Sequence, residues 1–237
     1  MCRKVEKVVS RQRIEERVAF VTPSPHSRSA ARFLVGNVIN LFVAGSHTVA
    51  VAIHWHMLHL ANNADTWQAR LQCEIDDVVG RERQPTWEDR NKMPFTMACI
   101  WEMHRWKPSS LTGVPRGTSE DTVVGEYFIP KGTTIFPNIW AVHHDPKLWK
   151  EPHKFDPSRF LNDDGTLVHP KPEYLMPFSI GKRMCPGEIL AVVEIFLYIT
   201  CLLQKYRVVP ELGKIPELDD DVPLEQLSHY KLMFTPR

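Results

Sequence analysis

The chain has 237 residues, 43% of them hydrophobic, and a net charge of +1. That length allows one large domain or two small ones with a genuine core, and the balanced charge argues neither for nucleic-acid binding nor for a strongly basic membrane surface. Five cysteines (Cys2, Cys73, Cys99, Cys185 and Cys201), an odd number without paired spacing, fit a reducing, cytosol-facing compartment better than a disulfide framework.

Taken in chain order, Val5–Phe20 carries a charged amphipathic helix pattern, and Thr22-Pro-Ser-Pro-His-Ser27 reads as a loop. The opening Met1-Cys-Arg-Lys-Val-Glu-Lys7 is charged and lacks the apolar stretch of a signal peptide. A long helix is expected from about Arg28 to Leu60. Phe33 to Ala64 contains no Asp, Glu, Lys or Arg, which mimics a membrane span. Asn37, Asn40, Ser46 and the histidines at 47, 54, 56 and 59 are costly in hydrocarbon, so a buried central helix is expected instead. The next helix covers Ala64–Val79 and stops at Gly80, as at a C-cap. Pro94–Trp106 is helical and sets Glu102 and Arg105 on one face. Residues 110–185 are rich in Pro and Gly, with short strands near 123–128 and 133–136 and a Pro130-Lys-Gly132 turn between strands. A buried helix over about 187–204 and strands near 206–209 and 230–234 complete the pattern, with no internal repeat and no clean interdomain linker.

The stretch with the most chemistry is Phe178-Ser-Ile-Gly-Lys-Arg-Met-Cys-Pro-Gly187. Five positions in it (Phe178, Gly181, Arg183, Cys185 and Gly187) make a pattern whose chance occurrence in such a chain is on the order of one in ten thousand. A thiolate, not a thiol, binds iron, and the helix that begins just after Cys185 offers an anion its unpaired N–H groups and positive end. Gly181 and Gly187 permit unusual backbone and close approach, so that nearby N–H groups can tune the sulfur. Phe178 can shield the sulfur, and Arg183 offers a planar fork to a carboxylate such as a haem propionate. The alternative for Cys185 is an inert core cysteine.

These residues resemble the cysteine loop of the cytochromes P450, the haem-thiolate monooxygenases. Further stretches carry the resemblance: Glu102-x-x-Arg105, Phe155-Asp-Pro-Ser-Arg-Phe160, Ala44-Gly45-Ser46-His47-Thr48, Arg83–Pro94, Tyr127–Thr134 and Asn138–Pro152. The last three are most like the microsomal members that oxidise drugs, steroids and fatty acids. The resemblance implies a mainly α fold with small β-sheets, of which 1–237 would be the C-terminal half, with a meander and cysteine loop over 138–187. It implies haem b (iron protoporphyrin IX) with Cys185 as axial iron ligand, and Phe178, Gly181, Arg183, Gly187 and Arg116 as cofactor-binding. Glu102, Arg105 and Arg159 would form a structural triad. Ala44, Gly45, His47 and Thr48 would lie on the oxygen face, often with a local helix distortion. Thr48 would hold the proton-delivering water; its alternative is a hydroxyl bonded back to its own turn. His47 stands where the family carries an acid, and Val49 where a second hydroxyl is common.

The implied reaction places one atom of O2 in a small apolar substrate, to whose pocket Leu111, Val114 and the helix around Val43 contribute. Electrons would come from NADPH through a flavoprotein reductase that meets the cysteine side, where Lys182 lies, with cytochrome b5 as an optional second partner. The parent protein is expected at the cytosolic face of the endoplasmic reticulum membrane, held by an N-terminal anchor that this chain lacks. The family's early strands, pocket-roofing helices and Trp-x-x-x-Arg motif are likewise unmatched; Trp101-x-x-x-Arg105 fits that spacing in the wrong helix. Three other readings stay open: a haem-binding fragment without turnover, a haem-thiolate peroxide isomerase, and a metal protein built on His54-x-His56-x-x-His59. In the last, positions 54 and 56 lie about 200° apart around a helix, so one ion cannot easily take all three. His143-His144 reads as a satisfied or solvated loop pair.

Overall fold

A computed structural model describes residues 28–211 and 229–237. The expectations for Val5–Phe20 and Thr22–Ser27 lie outside the described residues. The chain divides into two compact units: residues up to Ala44 together with Val114–Pro137, and Gly45–Gly113 together with Asn138–Arg237.

Helix α1 spans Arg28–Asn62. From Val49 onward it is a core helix, with Val49, Ala52, Trp55, Leu58 and Ala61 buried at helical spacing. The expectation of burial fails before that point. Phe33, Leu34, Val38, Ile39, Leu41 and Phe42 are all exposed. Apolar residues lie on every side of this stretch, and packing on one side cannot bury such a helix. Phe33–Asn62 is long and apolar enough to cross a membrane by length and composition alone.

A π-helical turn at Ala64–Gln68 leads into α2, Ala69–Val78. Gly80 ends it with φ +73 and donates to Ile75 O at 3.2 Å, the left-handed stop expected of a glycine there. Helix α3 spans Pro94–Trp106 and has no cap of its own. Glu74 of α2 supplies one: its carboxylate accepts from Phe95 N–H at 2.9 Å, Thr96 N–H at 2.8 Å and the Thr96 hydroxyl at 2.6 Å. A charge near the positive end of a helix adds to those bonds.

In the first unit, β1 (Arg116–Gly117) pairs antiparallel with β4 (Thr134–Ile135), and β2 (Thr122–Val124) with β3 (Tyr127–Ile129). The Pro130–Gly132 turn therefore joins strands of different pairs. The second unit continues with the short helix α4, Ile139–His143, whose N-terminus is capped by Asn138. The expected loop around His143 is thus helical. Helix α5, Glu188–Lys205, runs directly into β5 (Tyr206–Pro210), which pairs antiparallel with β6 (Leu232–Pro236).

The core of this unit gathers Leu58, Ile75, Ile100, Met103, Phe196, Ile199 and Leu203 from α1, α2, α3 and α5. Three buried glutamines tie distant segments across it. Gln68 donates to Leu60 O at 2.9 Å and Val208 O at 2.8 Å, and its own oxygen accepts from Val208 N–H at 2.8 Å. Gln72 donates to Tyr206 O at 2.9 Å, and Gln204 donates to Gly80 O and Arg83 O, both at 2.7 Å.

Candidate functional site

Cys185 sits in a loop that doubles back on itself. Its N–H donates to Phe178 O at 2.8 Å, which closes the loop around Ser179–Met184. A 3-10 turn at Gly181–Arg183 shapes the tip, with Met184 N–H donating to Gly181 O at 3.1 Å. Gly181 has φ +76 and Ser179 φ +64, so two of the loop residues are left-handed. For Gly181 this is the ordinary use of glycine; for Ser179 it is strain of about 1–2 kcal/mol.

The sulfur of Cys185 is exposed and lies just ahead of α5, which begins at Glu188 with Gly187 as its N-cap. No side chain caps that helix end. Gly187 has an ordinary φ, so its backbone does not demand glycine; a Cβ there would stand 3.8 Å from the Cys185 sulfur. Glycine keeps that space beside the thiol open. The ends of the loop are bridged by Lys171 Nζ and Glu188 Oε1 at 3.2 Å. A cavity of about 250 Å³ opens between Lys171, Leu175, Phe178, Gly181, Met184 and Glu188. Phe178 does not lie in solvent: its ring meets His104 of α3 edge-on, with centroids 5.3 Å apart. Arg183 and Lys182 are exposed.

Behind the loop lies a fully buried ion pair. Glu102 and Arg105 are both 0% exposed. Arg105 Nε donates to Glu102 Oε2 at 2.7 Å and Nη2 to Oε1 at 2.8 Å. The remaining donors reach His143 O at 2.9 Å, Pro152 O at 2.7 Å and Lys154 O at 3.2 Å. All five N–H groups of the guanidinium are therefore used. Glu102 Oε1 also accepts from Asp156 N–H at 2.8 Å and Arg159 Nε at 3.3 Å. Arg159 in turn binds the carbonyls of Lys150, Glu151 and Lys154. The structure thus brings Glu102, Arg105 and Arg159 together as one centre, and the four elements it joins (α3, the end of α4 at His143, residues 150–156 and the 3-10 turn Pro157–Phe160) are locked by it. Desolvating two charges is expensive, and only such complete hydrogen bonding offsets it.

Five imidazoles among the described residues are buried in this unit: His56, His59, His104, His143 and His144. His56 donates from Nδ1 to Ala52 O at 2.7 Å, and burial pushes its pKa down to about 4. His59 packs on Phe155 at 4.1 Å and on Trp106 at 5.2 Å. Burial, then the charge on His56, lowers its pKa to about 3. His104 is also held at about 3, by burial first and then by His56, Lys171 and His143. His143 stands at about 3 through burial, then through Arg105 and His144. His54 is exposed on the opposite side of α1 from His56 and His59. Among the described residues no cluster of His, Cys, Asp or Glu could hold a metal ion.

Ala44, Gly45, His47 and Thr48 follow one another on α1 in regular α-helix. The distortion the resemblance implied is absent at these residues; the one π-helical turn among the described residues falls at Ala64–Gln68. A regular helix is possible because nothing lies within 4 Å of a Cβ built on Gly45, so no neighbour forces the backbone to bulge. His47 and Thr48 are exposed, and the Thr48 carbonyl accepts from Ser109 Oγ at 3.1 Å. Arg116 is half-buried in the first unit, opposite Ile135 in the β1–β4 pair.

The family model for cytochrome P450 matches residues 27–232. The chain belongs to the cytochrome P450 family. It is 42% identical over 198 residues to cytochrome P450 2U1 of Homo sapiens, covering 83% of this chain and 35% of that protein. It is 43% identical over 174 residues to human cytochrome P450 2C8, covering 73% of this chain and 35% of the relative. It is 41% identical over 175 residues to the steroid 17-alpha-hydroxylase/17,20 lyase of Squalus acanthias, covering 74% and 34%. The chain spans about a third of the length of the curated relatives it matches. Its mainly helical fold with small sheets is part of the cytochrome P450 fold.

The site fits the haem of this family on its own features. An exposed thiol stands before an uncapped helix N-terminus, a glycine keeps the space beside the sulfur open, and the lone sulfur donor suits one axial bond to a soft-ligand iron site. Sequence reasoning missed the two buried groups nearest the loop, His104 and His143. Their only signal was position: one two residues beyond Glu102 on the same helix, the other just before the Asp145-Pro146 turn.

Proposed function

We propose that Cys185 is the axial thiolate of haem b in a monooxygenase that adds one oxygen atom to a small apolar organic molecule. The observation that carries this reading is the exposed thiol in a closed loop directly before α5, in a chain of this family. Bound there, haem supplies reductive activation of O2: two electrons and two protons enter, one oxygen goes to substrate, and the other leaves as water.

The chain's own residues have separate parts in this. Cys185 stands just ahead of the uncapped N-terminus of α5, whose positive end faces a metal-bound sulfur there, and the backbone N–H groups of the loop temper its donor strength. Arg183 and Arg116 bind the propionate carboxylates. Thr48 holds a proton-bearing water at its hydroxyl, and His47 passes protons from bulk water in place of the usual acid. Leu111, Val114 and the helix around Val43 present apolar surface to substrate. Glu102, Arg105 and Arg159 touch no reactant; they hold rigid the segments on which the loop rests. NADPH is the electron source, through a flavoprotein reductase that approaches the Lys182 side, with cytochrome b5 as an optional second partner. The endoplasmic reticulum membrane is the proposed location, by likeness to microsomal relatives.

The test is the carbon monoxide difference spectrum of the haem-supplied, reduced chain. A strongly red-shifted Soret band that disappears in Cys185→Ser supports the assignment. A band at the shorter wavelength of a lost thiolate, or one unchanged in Cys185→Ser, refutes it.

A further inference from the structure

His143 lies within the Asn138–Pro152 stretch but has been given no role of its own, yet it touches both halves of the site. Its carbonyl accepts from Arg105 Nη1 at 2.9 Å, so its backbone is fixed by the Glu102–Arg105 centre. Its ring Nε2 lies 3.0 Å from Met176 N, and the Met176 N–H donates to it. Met176 stands two residues before Phe178, whose carbonyl receives the Cys185 N–H. The residue is wholly buried.

An imidazole can accept at Nε2 only when neutral with its proton on Nδ1. The surroundings enforce that state. Burial disfavours the charged form first, and the neighbouring Arg105 guanidinium and His144 oppose it further. His143 Nδ1 has no hydrogen-bond partner, so the ring is held by its backbone and its one accepted bond. A backbone N–H partly withdrawn from water needs an acceptor, and half-buried Met176 finds it in this side chain.

We propose that His143 is a positioning residue for the cysteine ligand: its Nε2 clamps Met176 and so transmits the rigidity of the buried ion pair to the loop that carries Cys185. The link runs from Glu102 and Arg105 through the His143 backbone and ring to Met176, then through Phe178 O to the Cys185 N–H. Its catalytic meaning rests on the thiolate reading above; the clamp itself does not.

The test compares His143→Leu and His143→Gln with the native full chain. Glutamine places an acceptor oxygen near the position of Nε2, and leucine places none. The first readout is hydrogen exchange of the Met176 amide, with Ile199 and Leu203 amides of α5 as an internal reference. In His143→Leu, Met176 should exchange about tenfold faster or more, while the α5 amides keep their rates. His143→Gln should return Met176 to within about threefold of native. The second readout is the Soret position of the reduced carbon monoxide complex, which should move toward the shorter-wavelength form in the leucine variant and recover in the glutamine variant. Unchanged Met176 exchange in His143→Leu overturns the proposal. So does a glutamine variant as unprotected at Met176 as the leucine variant, and this comparison decides the matter even where leucine unfolds the chain. If the native chain shows no thiolate band while Met176 still follows this pattern, the clamp stands and the haem assignment falls.

Discussion

Lowering pH from 7 to 5 should strip the second unit of much of its stability, because four of its buried imidazoles, His56, His59, His104 and His143, are held neutral. His56 has its pKa lowered to about 4, and His59, His104 and His143 to about 3. In the unfolded chain each returns to about 6.5. Between those values the unfolded chain binds protons that the folded chain refuses. Stability from these groups is therefore complete above pH 6.5, declines as pH falls below it, and is gone once pH passes through the folded values. Over the interval from pH 7 to 5 each contributes a loss of about 2 kcal/mol. His56 lies beside both His59 and His104, so the losses are coupled, and the sum is about 6–8 kcal/mol. A whole domain is worth about 5–15 kcal/mol. Urea unfolding followed by tryptophan fluorescence at pH 7, 6 and 5 measures this directly. His59→Phe, which keeps the ring packing on Phe155 and Trp106, should remove about a quarter of the pH dependence. A loss under about 1 kcal/mol across the two pH units would refute the reasoning, since it would mean the imidazoles titrate as if exposed.

Glu102→Gln should destabilise the chain by about 3–5 kcal/mol, because it leaves the buried Arg105 guanidinium without its counter-charge; a chemical denaturation midpoint within error of native would contradict this. Cys185→Ala should change stability by less than about 0.5 kcal/mol because the side chain is exposed, yet abolish the thiolate Soret band. Gln68→Leu removes two donors and one acceptor that Leu60 and Val208 use, and should cost about 2–4 kcal/mol with faster exchange at Val208 N–H. Ser179→Gly should raise the melting temperature by relieving left-handed backbone worth about 1 kcal/mol, and Ser179→Val should lower it; equal melting temperatures would show that the loop strain is released elsewhere.

Much of this molecule is legible in its residues because the readable elements are local. Pro94–Trp106 has a proline start, a continuous apolar face and a Glu–Arg pair at helical spacing, and the helix has the expected bounds. Gly80 ends α2 because a left-handed stop is a property of one residue type. The strands near 206 and 232 follow from β-branched and aromatic runs, displaced by a residue or two. What stayed hidden depends on side chains reaching across more than a hundred residues, as Gln68 reaches Val208. A glutamine carries no pattern that distinguishes a buried clamp from a surface residue. The burial of α1 was read from composition, which says that a helix wants cover and not where that cover comes from; hence Val49 is buried and Phe42 is not. His143 was placed in a loop because a five-residue helix leaves no periodicity to detect.

The amide clamps have a consequence for the order in which the chain comes apart. Gln68 and Gln72 fasten the π-helical turn and α2 to β5, and Gln204 fastens the end of α5 to the carbonyls of Gly80 and Arg83 after α2, all with neutral amide groups that do not titrate. The imidazoles of α1, α3 and α4 form the acid-labile counterpart. One half of the same core is thus fastened by bonds indifferent to solvent conditions, and the other by groups that acid charges and forces open. Mild acid becomes a reagent that dissects the unit along that seam, freeing the cysteine loop's supports while the C-terminal ribbon stays stitched to its helices.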